Sequence, residues 1–190
     1  MIKFTMMLAL LATLGTGCAE LASSETPDHR KAELEAQRVR ELIERAQGFA
    51  AESDYARAEQ YLGLALASGA NEEKIQPLLI DVCIRDRRYR AAIQYAEQHL
   101  RKHPRAFRLR FLEATLLVAI GDVAHARDEL ERVLSARPEY ADAHYTLAVL
   151  LRDELGNHTQ ADRHFKEYLR LAPSGMHAEE AGESLLQVLP

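Results

Sequence analysis

Between Asp28 and Glu52 the residues Leu34, Val39, Leu42, Ile43, Ala46 and Phe49 fall mostly along one face of a helix, with polar residues between them. Asp28 reads as the cap of that helix. The run is longer than one standard helix and should project ahead of its neighbours. A second helix is predicted after Asp54, from about Tyr55 to Ser68, with Gly69 ending it. The next begins near Asn71. Pro77 falls inside or just after its first turn, so that helix is either kinked or starts late. Farther on, each apolar run ends at a proline, in HLRKHPRA, VLSARPEY and YLRLAPSG. Proline lacks an N–H and disfavours the α conformation in the residue before it, so it stops one helix before the next begins.

These breaks are periodic. Ala58, Ala92, Ala126 and Ala161 are spaced by 34, 34 and 35 residues, Pro104, Pro138 and Pro173 by 34 and 35, and Tyr55 and Tyr89 by 34. A period of this length marks an array of helix-turn-helix units. Antiparallel helices that stack closely, with axes about 8–10 Å apart, need small side chains where they cross. Alanine fits that crossing and favours helix.

The segments resemble tetratricopeptide repeats. The third, Phe107 to Tyr140, carries Ala114, Leu117, Gly121, Asp122, Ala126, Leu130, Leu134 and Pro138. The second has Leu79, Tyr89, Ala92, Ala96, Leu100 and Pro104, with Ile80 in a slot that is usually small and His99 where alanine is usual. The first has Ala46, Phe49, Tyr55, Ala58, Leu62 and Ala65, with Ala70 in the proline position. The fourth has Leu147, Ala148, Leu151, Ala161, Phe165, Leu169 and Pro173, and one extra residue near Gly156. The resemblance implies an all-α, right-handed solenoid of about four repeats, near 39–72, 73–106, 107–140 and 141–174. A capping helix at 175–189 would present Glu179, Glu180, Glu183 and Gln187 outward, with Ala178, Ala181, Leu185 and Leu186 inward.

Composition agrees with an all-α chain: 47% hydrophobic and 6% aromatic residues, no Trp, few Gly and Pro. The net charge of −5 argues against general nucleic-acid binding. It is unevenly spread. Between Arg85 and Arg110 nine basic residues face only Asp86 and Glu97. A helix from Tyr89 to Lys102, about 20 Å long at 1.5 Å per residue, separates Arg85, Arg87, Arg88 and Arg90 from Arg101, Lys102 and Arg105. They form two clusters rather than one patch: a solvated rim, or a dock for an acidic partner, anionic lipid or glycan.

Residues 1–17 (MIKFTMMLALLATLGTG) read as a secretory signal peptide, because the apolar run from Phe4 to Leu14 is too short to span a bilayer. Leu-Gly-Thr-Gly-Cys resembles a bacterial lipoprotein signal, with Gly15 in the place usual for Leu. It implies acylation of Cys18. Ala19 after the cysteine, not Asp, implies sorting to the outer membrane, facing the periplasm. Stable anchoring takes more than one acyl chain, at about 0.8 kcal/mol per buried methylene. Residues 18–28, small and polar with Pro27, read as a flexible tether.

No Gly-x-x-x-x-Gly-Lys loop, His-Glu-x-x-His or Gly-x-Ser-x-Gly is present. No cofactor, small-molecule substrate or catalytic residue is implied. His99 and His103, four apart, would share a metal only if a third ligand converged. Cys83 reads as a buried apolar filler. In tetratricopeptide arrays the first helix of each pair lines a concave groove for a peptide or a partner's helix. That register selects Arg40, Ile43, Gln47, Lys74, Asp81, Ile84, Arg85, Arg108, Phe111, Thr115, Val118, Tyr145, Val149 and Arg152. Phe111, Val118, Tyr145 and Val149 would form an apolar stripe bordered by Lys74, Arg108 and Arg152, unless Phe111 and Val118 simply pack on the next repeat. The Lys and Asn pattern of the chaperone-tail carboxylate clamp is absent.

The combined expectation is a non-catalytic, lipid-anchored adaptor that binds a protein or peptide partner in the cell envelope. It resembles the secretin pilotins of type IV pilus assembly, lipoproteins that help a secretin reach or assemble in the outer membrane. An alternative is a scaffold that recruits peptidoglycan hydrolases or outer-membrane assembly factors. A reading from another class, an enzyme or metal-binding protein built on the histidines, lacks a site constellation.

Overall fold

The structure, a computed structural model, describes residues 27–185. Among the described residues there are nine α-helices and no strand: α1 (Pro27–Ala51), α2 (Tyr55–Ala67), α3 (Glu72–Arg85), α4 (Tyr89–Lys102), α5 (Phe107–Ala119), α6 (Val123–Ala136), α7 (Ala141–Asp153), α8 (His158–Leu171) and α9 (Ala178–Glu183). Each helix packs chiefly on its neighbours in the chain, so α1/α2, α3/α4, α5/α6 and α7/α8 form four stacked hairpins closed by α9. The expected signal peptide, Cys18 and most of the tether lie outside the described residues, as do residues 186–189 of the expected capping helix.

The alanine ladder is the contact between the two helices of each hairpin. Ala58, Ala92, Ala126 and Ala161 are all buried, and so are their opposite numbers Ala46, Ile80, Ala114 and Ala148. Ile80 is accommodated inside the core despite its size. The core is continuous but thin. One cluster runs from α1 to α3 through Leu62, Ile75, Leu79 and Val82, and a second from α3 to α9 through Ile80, Cys83, Leu130, Leu147 and Phe165. Helix α3 supplies residues to both clusters, as a nearest-neighbour array requires.

The turn within each hairpin has its own repeat. A residue at left-handed φ recurs at Ser53 (62°), Arg87 (58°), Gly121 (76°) and Gly156 (61°). It is followed by Asp54, Arg88, Asp122 or Asn157. Asp54, Asp122 and Asn157 accept the N–H of Arg57, His125 and Gln160 at 3.1, 3.4 and 3.2 Å, capping α2, α6 and α8. Arg88 cannot cap. Its guanidinium pairs instead with Glu59 and Asp86, each at 2.7 Å. In the first three turns the N–H at this position bonds the carbonyl five residues back (Phe49, Cys83, Leu117). In the fourth, Asn157 reaches six back to Leu151, which absorbs the extra residue near Gly156.

Polar clasps also repeat. Arg110 on α5 donates to the Pro104 carbonyl at 3.2 Å and pairs with Glu129 on α6. One repeat later, His144 on α7 has Nε2 2.9 Å from the Pro138 carbonyl and Nδ1 2.9 Å from Nδ1 of His164 on α8. A carbonyl only accepts, so the His144 proton sits on Nε2 and His164 donates to His144. Each clasp ties a hairpin together and fixes the proline turn that precedes it.

Three expectations need adjustment. Asp28 lies in the first turn of α1, which already includes Pro27; fixed φ and a missing N–H suit proline to a helix start. Helix α3 does not start late: it begins at Glu72, capped by Asn71, whose side chain accepts the Glu73 N–H at 2.8 Å, and Pro77 lies inside it. The short turn 173–177 precedes α9, and Ser184 ends that helix, so the capping helix is shorter than expected at both ends.

At the left-handed slot nothing lies within 4 Å of a Cβ built on Gly121 or Gly156, so backbone strain alone decides the residue there. Arg87→Gly is expected to raise stability by about 0.5–1 kcal/mol, and Gly121→Ala to lower it by about 1 kcal/mol, in urea denaturation. Burial first, and then the neighbouring His144, hold the His164 imidazole below its ordinary value. The unfolded chain therefore takes up the proton first. The His164 contribution is complete above the ordinary imidazole value and is lost as pH falls through it toward the folded value. The urea midpoint should thus fall less between pH 7.5 and 5.5 in His164→Asn than in the parent chain.

Candidate partner-binding face

Six of the predicted groove positions, on α1 and α3, line recesses between those two helices. The predicted positions do not form one continuous stripe. The open part is the seam between α1 and α3. One recess there, about 250 Å³, is walled by Ala46, Gln47, Ala50 and Ala51 of α1 and by Leu78, Asp81, Val82 and Arg85 of α3, with Leu62 below. A second, about 450 Å³, lies toward the N-terminal ends of both helices, between Ala36, Val39, Arg40 and Ile43 and residues 68–71, Lys74 and Ile75. The predicted Gln47, Asp81 and Arg85 thus meet in the first recess, and Arg40, Ile43 and Lys74 in the second. Small side chains leave this space: Ala46, Ala50 and Ala51 occupy the α1 wall. The alanine-rich AQGFAA stretch is the sequence signal for it.

Beyond α3 the face closes. Phe111 packs edge-on against Tyr140 (centroids 5.1 Å), which also takes Phe107 edge-on (5.6 Å). Phe111 is therefore half-buried between repeats. Thr115 donates to the Leu112 carbonyl within its own helix at 2.7 Å. Arg108 is exposed, and Val118 is 37% exposed. Ile84 and Val149 are half-buried against the core.

Tyr145 and Arg152 hold the end of the array. The Tyr145 ring stacks on His177 (3.9 Å between centroids, 9° between planes). Its hydroxyl donates to Glu180 at 2.5 Å. Burial and this contact push Tyr145 up to about 12. Arg152 donates to Ser184, and pairs with Glu180 at 3.6 Å and Asp153 at 2.6 Å. Beneath them the hydroxyl of buried Tyr168 accepts the His177 N–H at 3.0 Å. Gly175 lies so close that a Cβ would fall 2.4 Å from that hydroxyl. The register selected Tyr145 and Arg152 for the groove; their engagement by α9 was not legible, because it depends on how the chain returns after Pro173.

The basic clusters sit at the two ends of α4. Arg85 approaches Asp81 at 3.8 Å and lies over Tyr55, Arg88 is paired as described, and Lys102 pairs with Glu72. Arg87, Arg90, Arg101 and Arg105 are exposed. His99 and His103 have ring centroids 4.5 Å apart, with His99 Nδ1 2.6 Å from Gln76 and His103 Nε2 3.4 Å from Glu73. Among the described residues no three or more His, Cys, Asp or Glu side chains are arranged to hold a metal ion. Cys83 is buried, which pushes its thiol up to about 11 and leaves little nucleophilic thiolate. No described helix is long and apolar enough to cross a membrane.

Residues 84–150 match the family model for the tetratricopeptide repeat. The fold is a tetratricopeptide-repeat solenoid. A tetratricopeptide repeat protein from Parabacteroides merdae superposes with a TM-score of 0.70 at 22% identity, over 78% of this chain and 59% of that one. This chain therefore spans less than two thirds of that protein's length. The MamA protein gives 0.67 at 17% identity, over 78% and 81% of the two chains. YrrB, described as a TPR protein with an unusual peptide-binding site, gives 0.62 at 20% identity, over 73% and 71%. These identities speak for the fold alone. No curated protein matches the chain.

Because each unit of the solenoid leans only on its neighbours, Tyr145→Ala should raise amide exchange across residues 178–184 by about tenfold or more while leaving α1–α4 unchanged. Unchanged exchange in α9 would show that Tyr145 does not hold it.

Proposed function

We propose that this chain is a non-catalytic adaptor held at the outer membrane by acylated Cys18, facing the periplasm, where it binds a segment of another envelope protein. The open α1–α3 seam carries this reading. Small side chains on α1 leave a channel at the interaction face, with Arg40, Lys74 and Arg85 beside it and Ile43, Leu78 and Val82 within it. Such a channel suits an extended peptide or an amphipathic helix. Arrays of this repeat family serve as protein-interaction scaffolds, and the similar solenoid of YrrB has a peptide-binding site. The lipoprotein-like signal supplies the address. Within this class we assign the chain to the assembly of an outer-membrane complex such as a type IV pilus secretin.

The test is photo-crosslinking in intact cells from a probe at exposed Gln47. One envelope protein should be captured, and Leu78→Asp should reduce its capture by about tenfold, as for loss of a buried anchor. No adduct, or one indifferent to Leu78→Asp, rejects the seam. Cys18→Ser should move the protein from the membrane fraction to the soluble periplasm; retention in the membrane rejects the anchor. Normal secretin multimers in a deletion strain reject the finer assignment alone.

A further inference from the structure

The third hairpin breaks the packing pattern at one position. Leu79 and Leu147 stand 34 residues before and after Glu113. Both leucines are core residues, 2% exposed, and Glu113 in the same slot of α5 is 5% exposed. A carboxyl thus occupies a place that the neighbouring units fill with an apolar side chain. Among the described residues nothing hydrogen-bonds to it. Arg110, one turn earlier, is held by Glu129 and the Pro104 carbonyl, and Arg132 is also drawn to Glu129. The body of the Glu113 side chain is packed away from solvent, while its carboxyl oxygens are not enclosed and open onto the recess beside them.

Glu113 lines a recess of about 360 Å³ between α4 and α6, on the face formed by the second helices of the hairpins. Ile93, Leu117 and Ile120 give it an apolar wall, and Glu97 of α4 and Glu129 of α6 line it with Glu113. Glu97 and Glu113 also line an adjoining recess, beside Arg101 and Arg110. At the other end His125 is bound to Asp122 (2.9 Å), and Arg90 is exposed. Burial first, then the charges of Glu129 and Glu97, push Glu113 up to about 7, opposed by Arg110 and Arg132. A metal ion is a poor match: no described group of three or more suitable ligands exists, and half the wall is apolar. A cation on an alkyl stem matches both halves.

We propose that this recess receives a lysine side chain of a partner protein, its ammonium between Glu113 and Glu97 and its stem along Ile93, Leu117 and Ile120. The two carboxylates come from different helices. A compact ammonium with three rotatable donors can serve both, whereas a planar guanidinium is matched to one carboxylate. Acidic groups outnumber basic ones around the recess, which is the complementary charge for such a guest. This site lies on a different face from the α1–α3 seam and does not depend on it.

The test is an NMR titration of the folded array at pH 7.5 with Nα-acetyl-lysine methylamide, using the norleucine analogue as the uncharged control. The lysine analogue should shift the Glu113 carboxyl carbon and the Ile93 and Leu117 methyls saturably; the norleucine analogue should not. Glu113→Gln should weaken binding at least tenfold, and its thermal melt, expected to be no lower than the parent's, confirms folding. Because the guest favours ionised Glu113, affinity should rise by about tenfold from pH 6 to pH 8. His125→Asn should retain that slope and Glu113→Gln should lose it. No saturation by 50 mM, equal response to norleucine, or a Glu113 carboxyl titrating in the ordinary range without guest overturns the proposal. If 1,5-diaminopentane binds more than tenfold tighter than the lysine analogue, the guest is a free amine and the protein-segment assignment falls.

Discussion

Everything in this chain depends on how near two helices can come. At Ala58, Ala92, Ala126 and Ala161 the second helix of each hairpin carries only a methyl group into the core, and all four are buried. That approach sets the tilt of the hairpin, the tilt sets the turn, and the turn sets the stacking of the next unit. A larger residue on the second helix would overpack the crossing, at about 1–3 kcal/mol per site. On the first helix the constraint is softer, as Ile80 shows. The consequence is an array whose architecture is dictated at a few positions while most of the surface is free to vary.

That division explains which features are legible in the sequence. The alanine and proline ladders made the helices, the turns and their order legible, because small residues and helix stops act locally and repeat. Side chains that act across the fold were less legible. The register selected Tyr145 for the predicted groove, but its ring and hydroxyl hold α9 through His177 and Glu180. Phe111 likewise belongs to an aromatic contact with Tyr140 between units. The open seam was missed because its cause is an absence of bulk on α1. Glu113 was missed because one glutamate in a helix carries no signal until its neighbours by period, Leu79 and Leu147, are seen to be buried.

The clasps show how equivalent positions can exchange chemistry without changing the frame. Arg110 with Glu129, and His144 with His164, both join the two helices of a hairpin, and both anchor the carbonyl of the preceding proline. The ion pair joins opposite charges, whereas in the imidazole pair one ring must accept the proton that the other donates. The third hairpin is thus fastened by charge and the fourth by a proton arrangement, although the backbone treats them alike. Arg110 and Arg132 both donate to Glu129, and neither hydrogen-bonds Glu113.

A solenoid has two long faces because its core is only one hairpin thick. The seam between α1 and α3 belongs to the first helices and is opened by small side chains. The recess at Glu113 belongs largely to the second helices and is defined by a misplaced charge. In a compact globule such features would compete for the same interior. Here α3 and α4 separate them, so a change at one need not disturb the other beyond nearest-neighbour packing. The ends differ in the same way: α1 runs on past its partner as an exposed helix, while α7 and α8 are covered by α9. Among the described residues the array is therefore covered by α9 at its C-terminal end and uncovered at its N-terminal end, where the larger recess lies.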